Sequence, residues 1–218
     1  MTDHPRAERR RGRPRHTVLT PQRITDAAMK IIQARGAKAL TMAALARELG
    51  VSVSALYNHA PSKHAVLLRV QDRLNSEIDC SGFGHLPWDA ALARWARSYL
   101  EVYARHVELI PTMAVLPVAN APHTLRMYEA VASGLVAAGF ARDEVVNMIV
   151  VLESLLFGSA YDATAPGGLF EPGELEELAP TFTSAVDART GDPAEGARQA
   201  FELGLETLLD GFRARLGA

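Results

Sequence analysis

Residues 50–66, GVSVSALYNHAPSKHAV, gather a glycine, three serines, a tyrosine, an asparagine and two histidines into one short run. The run has poor helix propensity and lacks the alternation of a half-buried strand, so its side chains are better explained by what they can touch. Ser52, Ser54 and Ala55 are small enough to permit close approach to another surface. Ser54 can exchange hydrogen bonds with base edges, and Val53 and Ala55 offer apolar contact to a thymine methyl. Tyr57, Asn58 and His59 carry hydroxyl, amide and imidazole groups that can reach phosphates or a base edge. Lys63 follows at the start of the next helix, where unpaired backbone amides also attract phosphate.

A second set of polyanion-binding groups lies upstream. Residues 1–19 hold six arginines, including Arg11, Arg13 and Arg15 of RRRGRPR, and little that could be buried, which predicts a flexible arm. Arginines spaced this way can lie along the minor groove, where narrow A·T-rich tracts deepen the negative potential. Charge is divided accordingly. Residues 1–80 carry a net charge of +7 and residues 81–218 a net of −9, so one end suits a polyanion and the other repels it.

Positioning these groups needs helices, and the sequence punctuates them. Thr20 and Pro21 read as a cap and a first helical residue, and Ile24, Ala27, Ala28, Ile31 and Ile32 form a stripe that ends at Gly36. Thr41 can cap MAALAREL, with Ala44, Leu45 and Leu49 inward and Gly50 as its stop. Ser52 can cap a third helix that presents Leu56 to the core and closes at Ala60-Pro61. Two short helices joined at a glycine form a helix-turn-helix, whose second helix enters the major groove. A fourth helix is expected from Ser62 to about Ile78.

After the glycine-rich SGFGHLP the composition changes. Trp88, Ala91, Leu92, Trp95, Tyr99, Val102, Tyr103 and His106 recur at spacings of three and four, which predicts one long helix. Prolines at 111, 117 and 122 divide the following stretch, and helices are expected over about 124–138, 142–161 and 194–216. Residues 165–190 read as a variable connection with one short helix. The 142–161 helix is apolar on more than one face and so wants two partners, its own bundle and a second subunit. The fold expected is all-α, with an N-terminal three-helix DNA-binding domain containing the helix-turn-helix and a C-terminal helical domain. Cys80 is the only cysteine, so neither an internal disulfide nor a cysteine zinc cluster can form. No secretory signal and no apolar run of membrane-crossing length is read, so a cytoplasmic protein without a membrane partner is expected.

The segment LTPQRITDAAMKIIQARGAKALTMAALARELGVSVSALYNHAPSKHAVL resembles the DNA-binding domain of the TetR family of transcriptional regulators. The resemblance rests on RGAKALTM, ALARELGVS and LYNHAPSKHAVL and covers about residues 20–68. More loosely, RSYLEVYARHVELIP, AVASGLVAAGF and LLFGSAY are similar to the regulatory domain of the tetracycline-repressor branch, here residues 69–218. The resemblance implies a homodimer that binds a palindromic operator in double-stranded DNA as a repressor and is released by a small-molecule effector. Its motif positions make Thr41, Ser52, Val53, Ser54, Ala55, Tyr57, His59 and Lys63 the expected DNA contacts. Asn58 stands where the tetracycline repressors commonly have tryptophan, a departure that bears on the operator.

The same resemblance puts an effector cavity among the regulatory helices. Trp95, Tyr99, Tyr103, His106, Met113, Leu116, Met127, Asn147, Val151 and Phe157 are the candidate lining residues, apolar area with a few polar handles. It also implies dimerisation through the 142–161 and 194–216 helices, with Leu152, Leu155, Leu156, Phe201, Leu205, Leu208 and Phe212 at the interface and Gly158, Gly204 and Gly211 allowing close approach. No metal or cofactor is expected. Ser154, His106 and nearby carboxylates could be assembled into a catalytic trio on paper, but no nucleophile elbow, phosphate loop or HExxH is present, so an enzyme is not expected. A DNA-binding regulator without small-molecule input is the other reading left open.

Overall fold

The computed structural model describes residues 18–189 and 192–217. Every regular element among them is helical. The N-terminal unit comprises α1 (Pro21–Arg35), α2 (Met42–Leu49) and α3 (Val53–Tyr57), followed by α4 (Lys63–Asn75). Four hydroxyls start them: Thr20 accepts a hydrogen bond from the Arg23 amide, Thr41 from Ala44, Ser52 from Ala55 and Ser62 from Ala65. Each satisfies an amide that the first helical turn leaves unpaired. Ile24, Ala28, Ile31 and Ile32 of α1 pack with Leu45, Leu56, Val66 and Val70, so one small core fixes all four helices.

Two local expectations need correction. Ala44 and Leu49 pack partly buried against the core as expected, but the fully buried alanine of α2 is Ala46, which the sequence stripe leaves out. Helix α4 stops at Asn75 rather than Ile78. The Ser76 hydroxyl donates to the Arg73 carbonyl at 2.6 Å, and the chain then turns so that the Asp79 amide donates to Ser98 Oγ at 2.7 Å.

The larger unit consists of α5 (Trp88–Ala104), α6 (Ile110–Met113), α7 (Pro122–Ala138), α8 (Arg142–Asp162), α9 (Pro180–Asp187) and α10 (Pro193–Leu216). Helix α8 packs against α5, α7 and α10, and α4 packs against α7 and α5. A Cβ at Gly204 would fall 2.8 Å from Leu155 Cδ1, so glycine there lets α10 close on α8. At Gly158 and Gly211 a Cβ would meet nothing within 4 Å. The 165–190 connection contains a six-residue 3-10 segment, Gly173–Leu178, in addition to the one helix expected.

Helix α8 also corrects the membrane argument, since by length and composition it could cross a bilayer. Its inner residues Val145, Met148, Ile149, Leu152 and Leu156 are buried in the bundle. The outer side leaves Val146 (65%) and Val150 (52%) exposed.

Candidate nucleic-acid interface and effector core

The connection between α2 and α3 is set by Gly50, whose φ of 67° and ψ of 32° lie in the left-handed region that a side chain disfavours. The Val51 amide donates to the Ala46 carbonyl at 3.0 Å, which turns the chain sharply into Ser52. Leu56, fully buried, is the anchor of α3. With that residue inward, Ser52, Val53, Ser54, Tyr57, Asn58 and His59 are exposed and Ala55 is half-buried. Val53 and Tyr57 are one helical turn apart and therefore share a side of α3. The Thr41 and Ser52 hydroxyls accept a capping amide through oxygen, so each keeps its own hydrogen for a phosphate.

Lys63 is half-buried and its Nζ donates to the Ala37 carbonyl at 3.4 Å, which ties the start of α4 to the turn before α2. Arg69 was not anticipated from sequence. It donates to the His59 carbonyl at 2.8 Å and braces the end of α3 from within α4; its spacing from His59 carries no motif that could have revealed this. Arg11, Arg13 and Arg15 lie outside the described residues.

The far end of α4 reaches the larger unit through polar contacts. Asp72 accepts from the His123 and Thr124 amides at 2.7 and 2.9 Å, a carboxylate at the N-terminus of α7 where unpaired N–H groups and the helix dipole favour an anion. Asn75, almost fully buried, accepts from the Tyr103 hydroxyl at 2.8 Å and donates to Thr124 Oγ1 at 3.0 Å. Gln71 donates to the Met113 carbonyl at 3.2 Å. One face of α4 thus holds α5, α6 and the start of α7.

Beyond Asn75 lies an aromatic interior. Of the candidate lining residues, Trp95, Tyr99, Tyr103, Met113 and Met127 are buried in the core, and Leu116 and Phe157 are half-buried. Tyr99 and Tyr103 stack with ring centres 4.7 Å apart, Trp95 meets Tyr99 edge-on at 5.3 Å, and Phe157 meets Tyr99 and Tyr103 at 5.8 and 5.4 Å. The sequence reading missed Glu153, whose Oε1 accepts from the Tyr128 hydroxyl at 2.6 Å and the Tyr99 hydroxyl at 3.1 Å. Burial raises the Glu153 carboxyl above the ordinary range, against the lowering effect of the two phenols. Burial likewise raises Tyr99, Tyr103 and Tyr128, which keeps all three as neutral donors.

Three members of the expected lining stand elsewhere. His106 falls beyond the end of α5, with a φ of −139° that breaks the helical stripe it was read into. It is buried beside the next turn, and desolvation lowers its pKa. Asn147 and Val151 are exposed on the outside of α8, because the inner stripe is filled by Met148, Ile149 and Leu152. They border a cavity of about 370 Å3 between α8 and α10, together with Leu208 and Gly211. The interface candidates divide in the opposite sense. Leu152, Leu156, Phe201, Leu205 and Phe212 are buried in the chain's own core, while Leu155 and Leu208 are half-buried.

Residues 24–70 match the family described as "Bacterial regulatory proteins, tetR family", and residues 84–216 match "Tetracyclin repressor-like, C-terminal domain". The chain belongs to the TetR family. Among relatives, it is 30% identical over 153 residues to the HTH-type transcriptional repressor DrrR1 of Streptomyces coeruleorubidus, a match covering 70% of this chain and 56% of that repressor. It is 28% identical over 210 residues to the class A tetracycline repressor protein from transposon 1721 of Escherichia coli, covering 91% of this chain and 93% of the relative. The fold of this TetR-family chain is also that of Streptomyces coelicolor ActR, solved in complex with actinorhodin: 24% identity, a TM-score of 0.78, and coverage of 93% of this chain and all of ActR.

Proposed function

We propose that this chain is a homodimeric repressor that binds a palindromic operator and is released when a small molecule enters the interior between α4, α5, α7 and α8. The observation that carries this reading is the double attachment of α4. Its N-terminal half is bonded to the parts that carry and orient α3, through Lys63 to Ala37 and Arg69 to His59. Its C-terminal half is bonded to the helices around the aromatic interior, through Asp72, Asn75 and Gln71. A ligand that displaced any of the latter contacts would tilt one rigid helix and move α3 with it.

Ser54, Val53 and Tyr57 are assigned to base edges and groove, and Thr41, Ser52, Asn58, His59 and Lys63 to phosphates or flanking bases. The arm arginines Arg11, Arg13 and Arg15 are assigned to the adjacent minor groove. Two reading helices on a two-fold axis meet half-sites about 34 Å apart, so a small tilt of α4 in each protomer changes the fit to both. Complete switching requires the effector to favour the released state by about 5.5 kcal/mol. ActR with actinorhodin bound supports an effector in this fold, and the repressors DrrR1 and class A tetracycline repressor support the sign of regulation.

The dimer is assigned to the outer sides of α8 and α10, where Val146, Val150, Val151, Leu203 and Leu208 are accessible and Gly158 and Gly211 leave room for a second backbone. The test is to incubate the purified protein with fragments of its own genome at near-physiological salt and sequence what is retained. A discrete palindrome is expected; diffuse, salt-sensitive retention or no retention would sink the operator reading.

A further inference from the structure

Five exposed or half-buried carboxylates on or beside the larger unit are met by arginines. Glu202 pairs with Arg97, Asp89 with Arg213, Glu144 with Arg215, Asp79 with Arg94 and Glu77 with Arg105. Glu153 differs from these in being withdrawn from water without an arginine. It is largely withdrawn from water, and the side chains bonded to it are the neutral phenols of Tyr99 and Tyr128, both on Oε1. Among the described residues no donor reaches Oε2 and no Lys, Arg or His forms an ion pair with Glu153. A carboxylate placed in low dielectric without a cation is an unmet electrostatic demand.

The surroundings narrow what could meet it. The stacked rings of Tyr99 and Tyr103, with Phe157 edge-on to both, lie directly beside the Tyr99 hydroxyl that holds Glu153. Aromatic faces attract cations as well as flat apolar bodies. Trp95, in edge contact with Tyr99, keeps a buried Nε1–H that has no partner. Buried donors are ordinarily satisfied, so this one is available to an acceptor on a bound molecule.

We propose that Glu153 is the anchor for a cationic amine carried by an aromatic effector, with Oε2 receiving the ammonium, Tyr99, Tyr103 and Phe157 contacting the ring system, and Trp95 Nε1 donating to an acceptor on the same molecule. The proposal rests on the effector reading of this interior and adds its ligand class. The two phenols on Oε1 hold the carboxylate in place while the second oxygen recognises the ligand. Release of DNA follows when the inserted ring system displaces Tyr103 from Asn75, since that bond joins α5 to the last turn of α4.

The test uses three probes that share one ring: 1-naphthylmethylamine, 1-naphthylmethanol and 1-naphthoate, titrated calorimetrically into the full-length protein and into Glu153→Gln and Glu153→Asp variants. The ammonium probe should bind the natural protein at least about tenfold more tightly than the alcohol, with naphthoate weakest. Glu153→Gln keeps an acceptor for both phenols, and should bring the ammonium down to the level of the alcohol without moving the alcohol. Glu153→Asp should retain part of the preference, and together with the order of the three probes on the natural protein it decides the matter if the glutamine variant fails to fold. Equal or tighter binding of the alcohol by the natural protein overturns the proposal while leaving a charge-blind effector site intact. Binding of none of the three also overturns it, and the genomic footprint, which needs no probe, then reports separately on the regulator reading.

Discussion

Helices α3 and α8 carry their functional groups in opposite ways. Four residues of α3 flank one buried leucine and, with the Asn58 that follows, leave serine, tyrosine and asparagine facing outward, where their hydrogen-bonding capacity is intact. Helix α8, with 21 residues, tucks its functional candidate Glu153 between tyrosines from α5 and α7. The difference is one of reference state. A group that reads an external polymer must be displayed on an internally rigid support, whereas a group that detects a small molecule must be partly desolvated before the molecule arrives. Stability and recognition should therefore fall largely on different side chains in α3, Leu56 against the displayed residues, and on the same side chain, Glu153, in α8.

The largest effect expected is from Leu56→Ala, which removes the only buried side chain of α3. It should destabilise the N-terminal unit by about 2–5 kcal/mol in chemical denaturation and abolish DNA retention with it. Recovery of full DNA affinity in that variant would mean that α3 is not held by its core contact. Ser52→Ala should cost about 1 kcal/mol of stability through the lost cap to Ala55, and should weaken DNA binding beyond what that loss explains if the hydroxyl also reaches a phosphate. Comparison with Ser52→Gly, which costs only a few tenths of a kcal/mol as a cap, separates the two roles.

The smallest and most diagnostic effect concerns pH. Because burial raises the Glu153 pKa in the folded state, its stabilising contribution is complete below the ordinary glutamate pKa and is lost as pH rises through the elevated value. Glu153→Gln lacks this titration, so its stability relative to the natural protein should increase across that window. Denaturation curves taken in steps from about pH 4 to about pH 8 measure it. Parallel profiles for the two proteins would show that Glu153 ionises without cost and would erase the contrast with α3.

The two regions also differ in how far they could be read from the chain. In the reading head, each boundary is local: Thr41, Gly50, Ser52 and Ser62 act within four residues of themselves, and the display of Ser54 and Tyr57 follows once Leu56 is inward. Arg69 escaped notice because its partner is a backbone carbonyl ten residues away, which has no side-chain signature. The aromatic stripe of α5 was legible from its spacing up to Tyr103. His106 was misplaced because the helix ends at Ala104, and periodicity alone does not report where a helix stops.

In α8 the limitation has a different cause. A helix apolar on more than one face gives no hint of which side its own bundle takes, so the sequence points Asn147 and Val151 inward and Leu152 and Leu156 outward, the reverse of their positions. Glu153 has no local signal because its partners Tyr99 and Tyr128 are 54 and 25 residues distant.

By itself, the sequence determined most of the helices, the caps of the reading head, the helix-turn-helix, the TetR resemblance and the charge division between the two ends. All of these depend on interactions within a few residues or on summed composition. Only the tertiary structure decided which side of α8 is core, how α4 is bonded at both ends, and that a carboxylate stands among phenols without a cation. Those depend on which distant residues meet, and burial converts such meetings into chemistry by stripping away the water that would otherwise make each group independent of its neighbours.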